Sequence, residues 1–240
     1  MALDFEELDY AETPLGAISL RRRADPRLGG EVVHEIKLGD EFLMSSLFTV
    51  GETQLATRGL DALKGSELDV VVGGLGLGYT AAAVLENTRV RSLGVIEIME
   101  PVIDWHLRGL VPLGKRLTSD ARCTLVQADF FAWAASEGRQ TVGMPRSLFH
   151  AVLLDIDHSP SHWLAPGNRA FYSVAGLRSL RDKLQPDGIF GLWSNDPPEA
   201  AFTGLLDEVF RSSEAHVVSF PNRYTGDASS CTIYLAHKGG

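Results

Sequence analysis

The chain has 240 residues, of which 45% are hydrophobic and 22% are charged, a composition typical of a soluble globular protein with a large core. Its formal net charge of −9 argues against nucleic acid as the main partner, because acidic proteins repel phosphate, and it is compatible with a cationic substrate. The apolar runs are too short for a transmembrane helix, the acidic N-terminus is unlike a secretory signal, and Cys123 and Cys231 are too few for a disulfide framework, so we predict a cytoplasmic protein without membrane contact.

The first part of the chain lacks the periodicity of helices. Residues 16–23 and 31–46 have the composition of strands and are separated by the turn-forming sequence ADPRLGG. We therefore predict a small antiparallel β-unit over residues 1–50. Residues 51–63 have helical spacing of leucines and open a second predicted domain, residues 51–240.

Further along the chain, apolar strands alternate with helices. The predicted strands are 68–74, 90–98, 123–129, 149–157, 189–194, 215–224 and 229–238. The predicted helices are 79–87, 101–110, 168–184 and 197–212. Near-continuous apolar strands separated by helices indicate a mainly parallel sheet covered on both faces. We predict an α/β, Rossmann-like domain with a seven-stranded sheet that ends in an antiparallel hairpin.

Glycine or polar residues follow five of these strands. Ligands of such sheets bind beyond the carboxyl ends of the strands, so this series predicts a ligand-binding rim. Its members are Gly73, Gly74, Gly76 and Gly78, then Glu97, Asp129, Asp155, Asp157 and Trp193.

The glycines lie in the sequence VVVGGLGLGYTAAAVLE, between a strand and a helix. Glycine allows a tight turn and a close approach to a ligand, and a helix N-terminus offers free N–H groups. The alternative is a tight turn without a ligand. Tyr79 follows the loop and either contacts a cofactor or packs the start of the helix.

Two acids indicate a nucleoside. Glu97 ends the next strand about 20 residues downstream, where an acid commonly binds ribose hydroxyls, and Ile98 lies beside it. Asp129 precedes Phe130, which suits the amine and the face of an adenine ring, although an Asp here is also a typical helix N-cap. NAD and S-adenosylmethionine both fit these features.

The sequence HAVLLDIDHSP resembles the strand and loop of spermidine synthases, whose signature there is Asp, two small residues, Asp and Pro. The glycine motif, GVIEIMEPVID, LVQADFFAWA and FYSVAGLRSLRDKLQPDGIFGLWS resemble further segments of that family. The chain is therefore identified as similar to the spermidine synthase-like (polyamine aminopropyltransferase) members of the class I S-adenosylmethionine-dependent methyltransferase superfamily.

The resemblance implies a role for each matched residue. Glu97 would hold the ribose, Asp129 the adenine, and Asp155 would be the base that takes a proton from the attacking amine. The implied co-substrate is decarboxylated S-adenosylmethionine or S-adenosylmethionine, and the implied acceptor is a small amine near Gln54 and Trp193. The family commonly forms homodimers, and the β-unit is a plausible contact.

Three features depart from the family pattern. The family has an Asp at the position of Gly76, where it contacts the amino end of the decarboxylated co-substrate. The second acid of the signature, Asp157, comes two residues after Asp155 instead of three, and His158, a second candidate proton acceptor, follows it. These residues and His162 could be metal ligands, but Pro160 opposes the helix that such a spacing requires, and we predict no metal.

Three functions remain open at this point. The first is transfer of an aminopropyl or related alkyl group to a small amine. The second is methyl transfer from intact S-adenosylmethionine to a small molecule, which the glycine at position 76 favours. The third is a non-catalytic protein that only binds a nucleoside.

Overall fold

The computed structural model describes residues 5–136, 143–144 and 146–240. Within them the strands form two sheets, one of four strands and one of seven. The division of the chain at residue 50 stays a prediction.

The four-stranded sheet is antiparallel and follows the order of the chain. Its strands are β1 (Glu6–Thr13), β2 (Gly16–Asp25), β3 (Glu31–Leu38) and β4 (Glu41–Ser45). The sequence did not predict β1, because its acidic residues have low strand propensity. They are compensated across the pair, where Glu6 lies opposite Arg22 and Glu7 opposite Arg21.

The seven-stranded sheet has the order β10-β11-β9-β8-β5-β6-β7. Its strands are β5 (Leu68–Gly73), β6 (Val90–Glu97), β7 (Cys123–Gln127), β8 (Phe149–Leu154), β9 (Leu184–Ser194), β10 (Ser212–Pro221) and β11 (Ala228–His237). Strands β5 to β9 pair in parallel, and β10 and β11 add an antiparallel hairpin beside β9. The predicted fold class is confirmed.

Seven α-helices lie among the described residues. They are α1 (Val50–Asp61), α2 (Tyr79–Glu86), α3 (Glu100–Leu107), α4 (Gly114–Ser119), α5 (Phe130–Ala135), α6 (Val174–Arg181) and α7 (Ala200–Val209). The sequence did not predict the short helices α4 and α5.

The single predicted helix over 168–184 is wrong. A 3₁₀ turn at Pro166–Ala170 precedes α6, and the side chain of Ser173 caps the helix by accepting a hydrogen bond from the Gly176 N–H. The sequence QPDG does not lie between helix and strand but inside β9, where the register shifts and Asp187 has a φ of 57°. A local irregularity in a strand thus accommodates residues that ordinarily form a turn.

The core has one apolar layer on each face of the seven-stranded sheet. Strand β5 contributes to both, with Val70 and Val72 in one layer and Val71 in the other. A strand buried on both faces reads as a continuous apolar run, which is why its sequence predicted it well. Among the described residues no helix combines the length and apolarity needed to cross a membrane.

Candidate active site

A cavity of about 530 Å³ lies at the carboxyl ends of the parallel strands. The strand order reverses at β5, which pairs with β6 on one side and β8 on the other, and ligands of open α/β sheets bind at such a point. The N-terminal sheet covers the cavity with apolar side chains of Leu15, Ile36, Leu43 and Met44. Of the predicted site residues, the cavity is lined by Gly74, Gly76, Glu97, Ile98, Asp129, Phe130, Asp155, His158 and Trp193.

Two glycines allow the loop after β5 to pass close to its neighbours. Gly74 has a φ of 95°, and a Cβ there would lie 2.1 Å from the carbonyl oxygen of Asp155. Gly76 has a φ of 47°, and a Cβ there would lie 2.7 Å from Sδ of Met44. Gly74 therefore requires glycine for backbone conformation and for space, whereas Gly76 favours it for its left-handed backbone, since the flexible Met44 side chain could move.

The backbone N–H groups of this loop are already bonded within the protein. Two N–H groups donate to backbone carbonyls, that of Gly74 to Ile96 (2.9 Å) and that of Gly78 to Leu75 (2.8 Å). The N–H groups of Leu75 (2.9 Å) and Gly76 donate to the Glu97 carboxylate. The N–H of Leu77 donates to Sδ of Met44 (3.1 Å). Neighbouring acceptors therefore use the N–H groups of residues 74–78, and the expectation that the N-terminus of α2 offers N–H groups to a ligand stays a prediction.

Glu97 is held at the end of β6 by the backbone. Its two carboxylate oxygens accept hydrogen bonds from the N–H groups of Leu75 and Met99, each at 2.9 Å. Burial raises the pKa of Glu97, and these backbone donors oppose that shift. The carboxylate thus has a fixed orientation on the cavity wall before any ligand binds.

Asp129 caps α5 and also lines the cavity. Its Oδ1 accepts hydrogen bonds from the N–H groups of Phe131 (2.8 Å) and Ala132 (3.2 Å). Both bonds use the same oxygen, so the capping role and a ligand-binding role of Oδ2 are compatible. Phe130 packs beneath Gly73, where a Cβ would lie 2.5 Å from its ring.

Asp155 follows β8, is half-buried, and faces the buried carboxyl group of Glu52 on α1. The hydroxyl of Thr80 donates a hydrogen bond of 2.6 Å to Oδ2 of Asp155. Burial raises the pKa of Asp155 to about 6, with the Thr80 bond opposing the shift. Burial, and then the charge of Asp155, raises the pKa of Glu52 to about 8. The pair therefore carries about one proton and one negative charge near neutral pH.

Asp157 lies outside the cavity lining, although it is only two residues from Asp155. Its carboxylate accepts hydrogen bonds from the Leu164 N–H, the Asn168 amide and the Tyr172 hydroxyl, each at 2.8 Å. Burial raises the pKa of Asp157, and these donors oppose the shift. The predicted catalytic role does not fit this position, because the side chain organises the loop over residues 157–172.

His158 lines the cavity, and one ring nitrogen lies 2.8 Å from Oε1 of Glu41 in the N-terminal sheet. The contact links the loop after β8 to the β4 strand. Trp193 at the end of β9 lines the cavity too, and its indole packs against Gly51 of α1.

The structure does not place four other predicted residues on the cavity wall. Gln54 accepts a hydrogen bond of 3.0 Å from Arg58 on the same helix. It points away from the cavity that Glu52 lines, because residues two apart on a helix point to different sides. Tyr79 packs at the start of α2, with its hydroxyl hydrogen-bonded to Ser46. Gly73 lies against the ring of Phe130, and Gly78 provides the left-handed turn, at a φ of 91°, before α2.

Met44 and Thr80 of this site were missed from the sequence, and of the two junction residues considered, Glu52 and Gln54, the sequence favoured Gln54 although Glu52 lines the cavity. Glu52 is an acid in the first turn of α1, a position common on exposed helices, so its burial could not be read from the pattern. Met44 reaches the cavity only because the N-terminal sheet lies over the glycine loop.

The charge of the cavity is strongly one-sided. Its described lining includes four carboxyl groups and no Lys or Arg, with His158 as the only basic side chain. The acids are Glu52, Glu97, Asp129 and Asp155. In the described part of the chain no group of three or more His, Cys, Asp or Glu residues is arranged to hold a metal ion. Such a lining favours a cationic ligand.

The fold and this cavity define an α/β protein with an acid-lined cavity at the switch point of its sheet. No protein-family model matches the chain. A solved spermidine synthase in complex with the transition-state analogue AdoDATO is 17% identical, with a TM-score of 0.75, over 97% of this chain and 74% of that one. The spermidine synthase from Thermotoga maritima is 16% identical, with a TM-score of 0.73, over 97% of this chain and 73% of that one. The chain therefore has a spermidine synthase-like fold.

Proposed function

We propose that this protein transfers an aminopropyl or related alkyl group from decarboxylated S-adenosylmethionine to a small amine. The observation that carries the proposal is the charge of the cavity, with four carboxyl groups and no Lys or Arg in its described lining. Intact S-adenosylmethionine has a carboxylate, which would meet no cationic side chain and no free N–H group of the glycine loop. The decarboxylated form has only positive charges and suits this lining.

The nucleoside would lie along the ends of β6 and β7. Glu97 would accept hydrogen bonds from the ribose hydroxyls, and Oδ2 of Asp129 would accept one from the adenine amine. Phe130, Phe131 and Ile98 line the same part of the cavity and supply apolar surface for the base. The solved spermidine synthase that holds AdoDATO has the same fold, which supports this assignment.

The transfer needs few groups from the protein. The lone pair of the acceptor nitrogen attacks the carbon bonded to the sulfonium, so that a C–N bond forms and the C–S bond breaks, with its electron pair going to sulfur. Methylthioadenosine leaves as a neutral thioether, and the new ammonium loses a proton. Asp155, with a pKa of about 6, is largely ionised at neutral pH and would orient the amine and accept that proton.

The proposal is tested by ligand binding followed by product analysis. We expect decarboxylated S-adenosylmethionine and methylthioadenosine to raise the melting temperature, and intact S-adenosylmethionine to raise it less. Mass spectrometry of an amine incubated with the decarboxylated co-substrate should then detect the mass of one aminopropyl group. Stabilisation by intact S-adenosylmethionine alone would contradict the proposed aminopropyl transfer. Stabilisation by none of the three ligands would also contradict the proposed nucleoside site.

Methyl transfer is the second candidate, because Gly76 and Met44 stand where the resembling family has an acid for the amino end of the decarboxylated co-substrate. In the same assay it predicts stabilisation by intact S-adenosylmethionine and a product heavier by one methyl group. Stabilisation by nucleosides without any product from a panel of amines would indicate a protein that only binds them.

A further inference from the structure

The glycine loop cannot supply an acid to the amino end of a co-substrate in this protein. Gly76 has a φ of 47°, and the space for a side chain there is taken by Sδ of Met44, 2.7 Å from the position of a Cβ. The same sulfur accepts a hydrogen bond of 3.1 Å from the Leu77 N–H. This part of the wall is therefore a thioether from the N-terminal sheet, which has no charge to pair with an ammonium group.

Helix α1 brings a different acid to the cavity. Glu52 lines it with only 8% of its surface exposed. Among the described residues the one N–H group bonded to its carboxyl is its own backbone N–H. A buried acid with so few donors destabilises a fold unless a ligand completes it. The structure therefore holds an acid on the wall whose partner is not another side chain.

We propose that Glu52 binds the ammonium group of the transferred aminopropyl chain and so determines the choice of the decarboxylated co-substrate. This inference rests on the proposed function and names the residue that gives it specificity. It leaves Asp155 for the attacking amine, so that each of the two carboxyl groups has one nitrogen to bind.

The surroundings of Glu52 predict that binding releases a proton. The titratable groups that face it are Asp155 after β8, Tyr79 of α2 and Cys231 of β11, and none of them is a cation. Near neutral pH the carboxyl group of Glu52 is mostly protonated, since its pKa is raised to about 8. An ammonium group at hydrogen-bond distance favours the carboxylate, so the pKa falls and the proton leaves.

Isothermal titration at pH 7 with decarboxylated S-adenosylmethionine and with methylthioadenosine tests the inference, because the second ligand has the nucleoside without the ammonium group. In Glu52→Gln we expect the affinity for the decarboxylated co-substrate to fall about 10- to 100-fold, the effect of losing a charged hydrogen bond. The affinity for methylthioadenosine should stay within about threefold. Gln54→Ala is the matched control, since Gln54 lies on the same helix outside the cavity.

Repeating the titration in two buffers of different ionisation enthalpy measures the proton. Wild-type protein should release a proton on binding the decarboxylated co-substrate but not methylthioadenosine, and Glu52→Gln should release none. Glu52→Asp, which keeps the acid on a shorter side chain, should retain the release with weaker binding. Thermal unfolding of each variant verifies that it is folded.

Two results would overturn the inference and are distinct from each other. If Glu52→Gln binds the decarboxylated co-substrate as tightly as the wild type, another group holds the ammonium, and the proposed function survives. If the wild type binds neither ligand, both the role of Glu52 and the proposed function are wrong.

Discussion

The carboxyl groups at the two ends of the cavity differ in the hydrogen bonds that they accept. At the end formed by β6 and β7, the proposed nucleoside end, backbone N–H groups donate to both oxygens of Glu97 and to Oδ1 of Asp129. At the transfer end, Asp155 accepts one hydrogen bond from a side-chain hydroxyl, and Glu52 accepts none from any other residue that the structure describes.

The end with Glu97 and Asp129 is thus ordered before a ligand binds, whereas the end with Asp155 and Glu52 lacks hydrogen-bond donors that a ligand could supply. Backbone donors fix the first pair of acids, so their orientation needs no ligand and they can position a nucleoside at little entropic cost. Burial raises the pKa of both acids of the second pair, so a cation that binds there would favour their charged forms. We infer that binding selectivity for the nucleoside and for the amine come from separate parts of the cavity.

The largest expected effect comes from removing the charge at the transfer end. Asp155→Asn should lower kcat about 10²- to 10⁴-fold, the usual loss of a general base, because the amide can accept no proton. The dissociation constant of methylthioadenosine should change little, since the nucleoside end is intact. Rapid-quench measurement of methylthioadenosine release separates these two parameters.

The surface variant Asp182→Asn provides the control for that experiment, because Asp182 is exposed and lies outside the cavity lining. A variant of Asp155 with wild-type kcat would move the chemistry to another residue, and His158 would then be the next one to replace.

The second largest effect is expected at the nucleoside end. Glu97→Gln replaces one of two acceptor oxygens by an NH₂ group, which cannot accept the N–H of Leu75 or Met99. We expect methylthioadenosine and decarboxylated S-adenosylmethionine to bind about 10- to 100-fold more weakly, and by the same factor. Titration of both ligands checks the equality. A loss confined to the decarboxylated form would contradict the assignment of this end to the nucleoside.

The site residues that the sequence predicted correctly lie at the ends of strands. Glu97 ends β6, and Asp129 and Asp155 come just after β7 and β8, so the position of the strand end brings each of them to the rim. The strands of the parallel sheet were predicted because their apolar runs are continuous. The helix over 168–184 was not predicted correctly, because its apolar spacing continues through the 3₁₀ turn and only the Ser173 cap marks the true start of α6.

The residues that the sequence did not select depend on contacts between distant parts of the chain. Met44 and Glu52 reach the cavity through the placement of the N-terminal sheet and α1 over the parallel sheet, which no local pattern encodes. Asp155 and Asp157 were both predicted as catalytic acids from the sequence. The hydrogen bonds that Asp157 accepts from the following loop hold its side chain outside the cavity lining.

A smaller effect concerns stability. The folded pKa of Glu52, about 8, lies above its ordinary value of 4.5, so the stability it contributes is fully present below pH 4.5 and is lost as the pH rises through about 8. Glu52→Gln removes that loss. It should be more stable than the wild type at pH 8 and no more stable at pH 4.5. Urea unfolding of both proteins at the two pH values measures this, and a constant difference would refute the buried, protonated state of Glu52.

The smallest effect is expected from Thr80→Val, which keeps the shape of the side chain and removes the hydroxyl that donates to Asp155 at 2.6 Å. That bond lowers the pKa of Asp155 against burial, so its loss should raise the pKa. In the proposed mechanism the ionised carboxylate is the active form, so the acidic limb of the pH profile of kcat/KM should move to higher pH by up to about 1 unit. Thr80→Ser should restore the wild-type profile. If Thr80 served packing alone, Thr80→Val would lower kcat/KM by the same factor at every pH, and the Thr80 hydrogen bond would have no part in setting the pKa of Asp155.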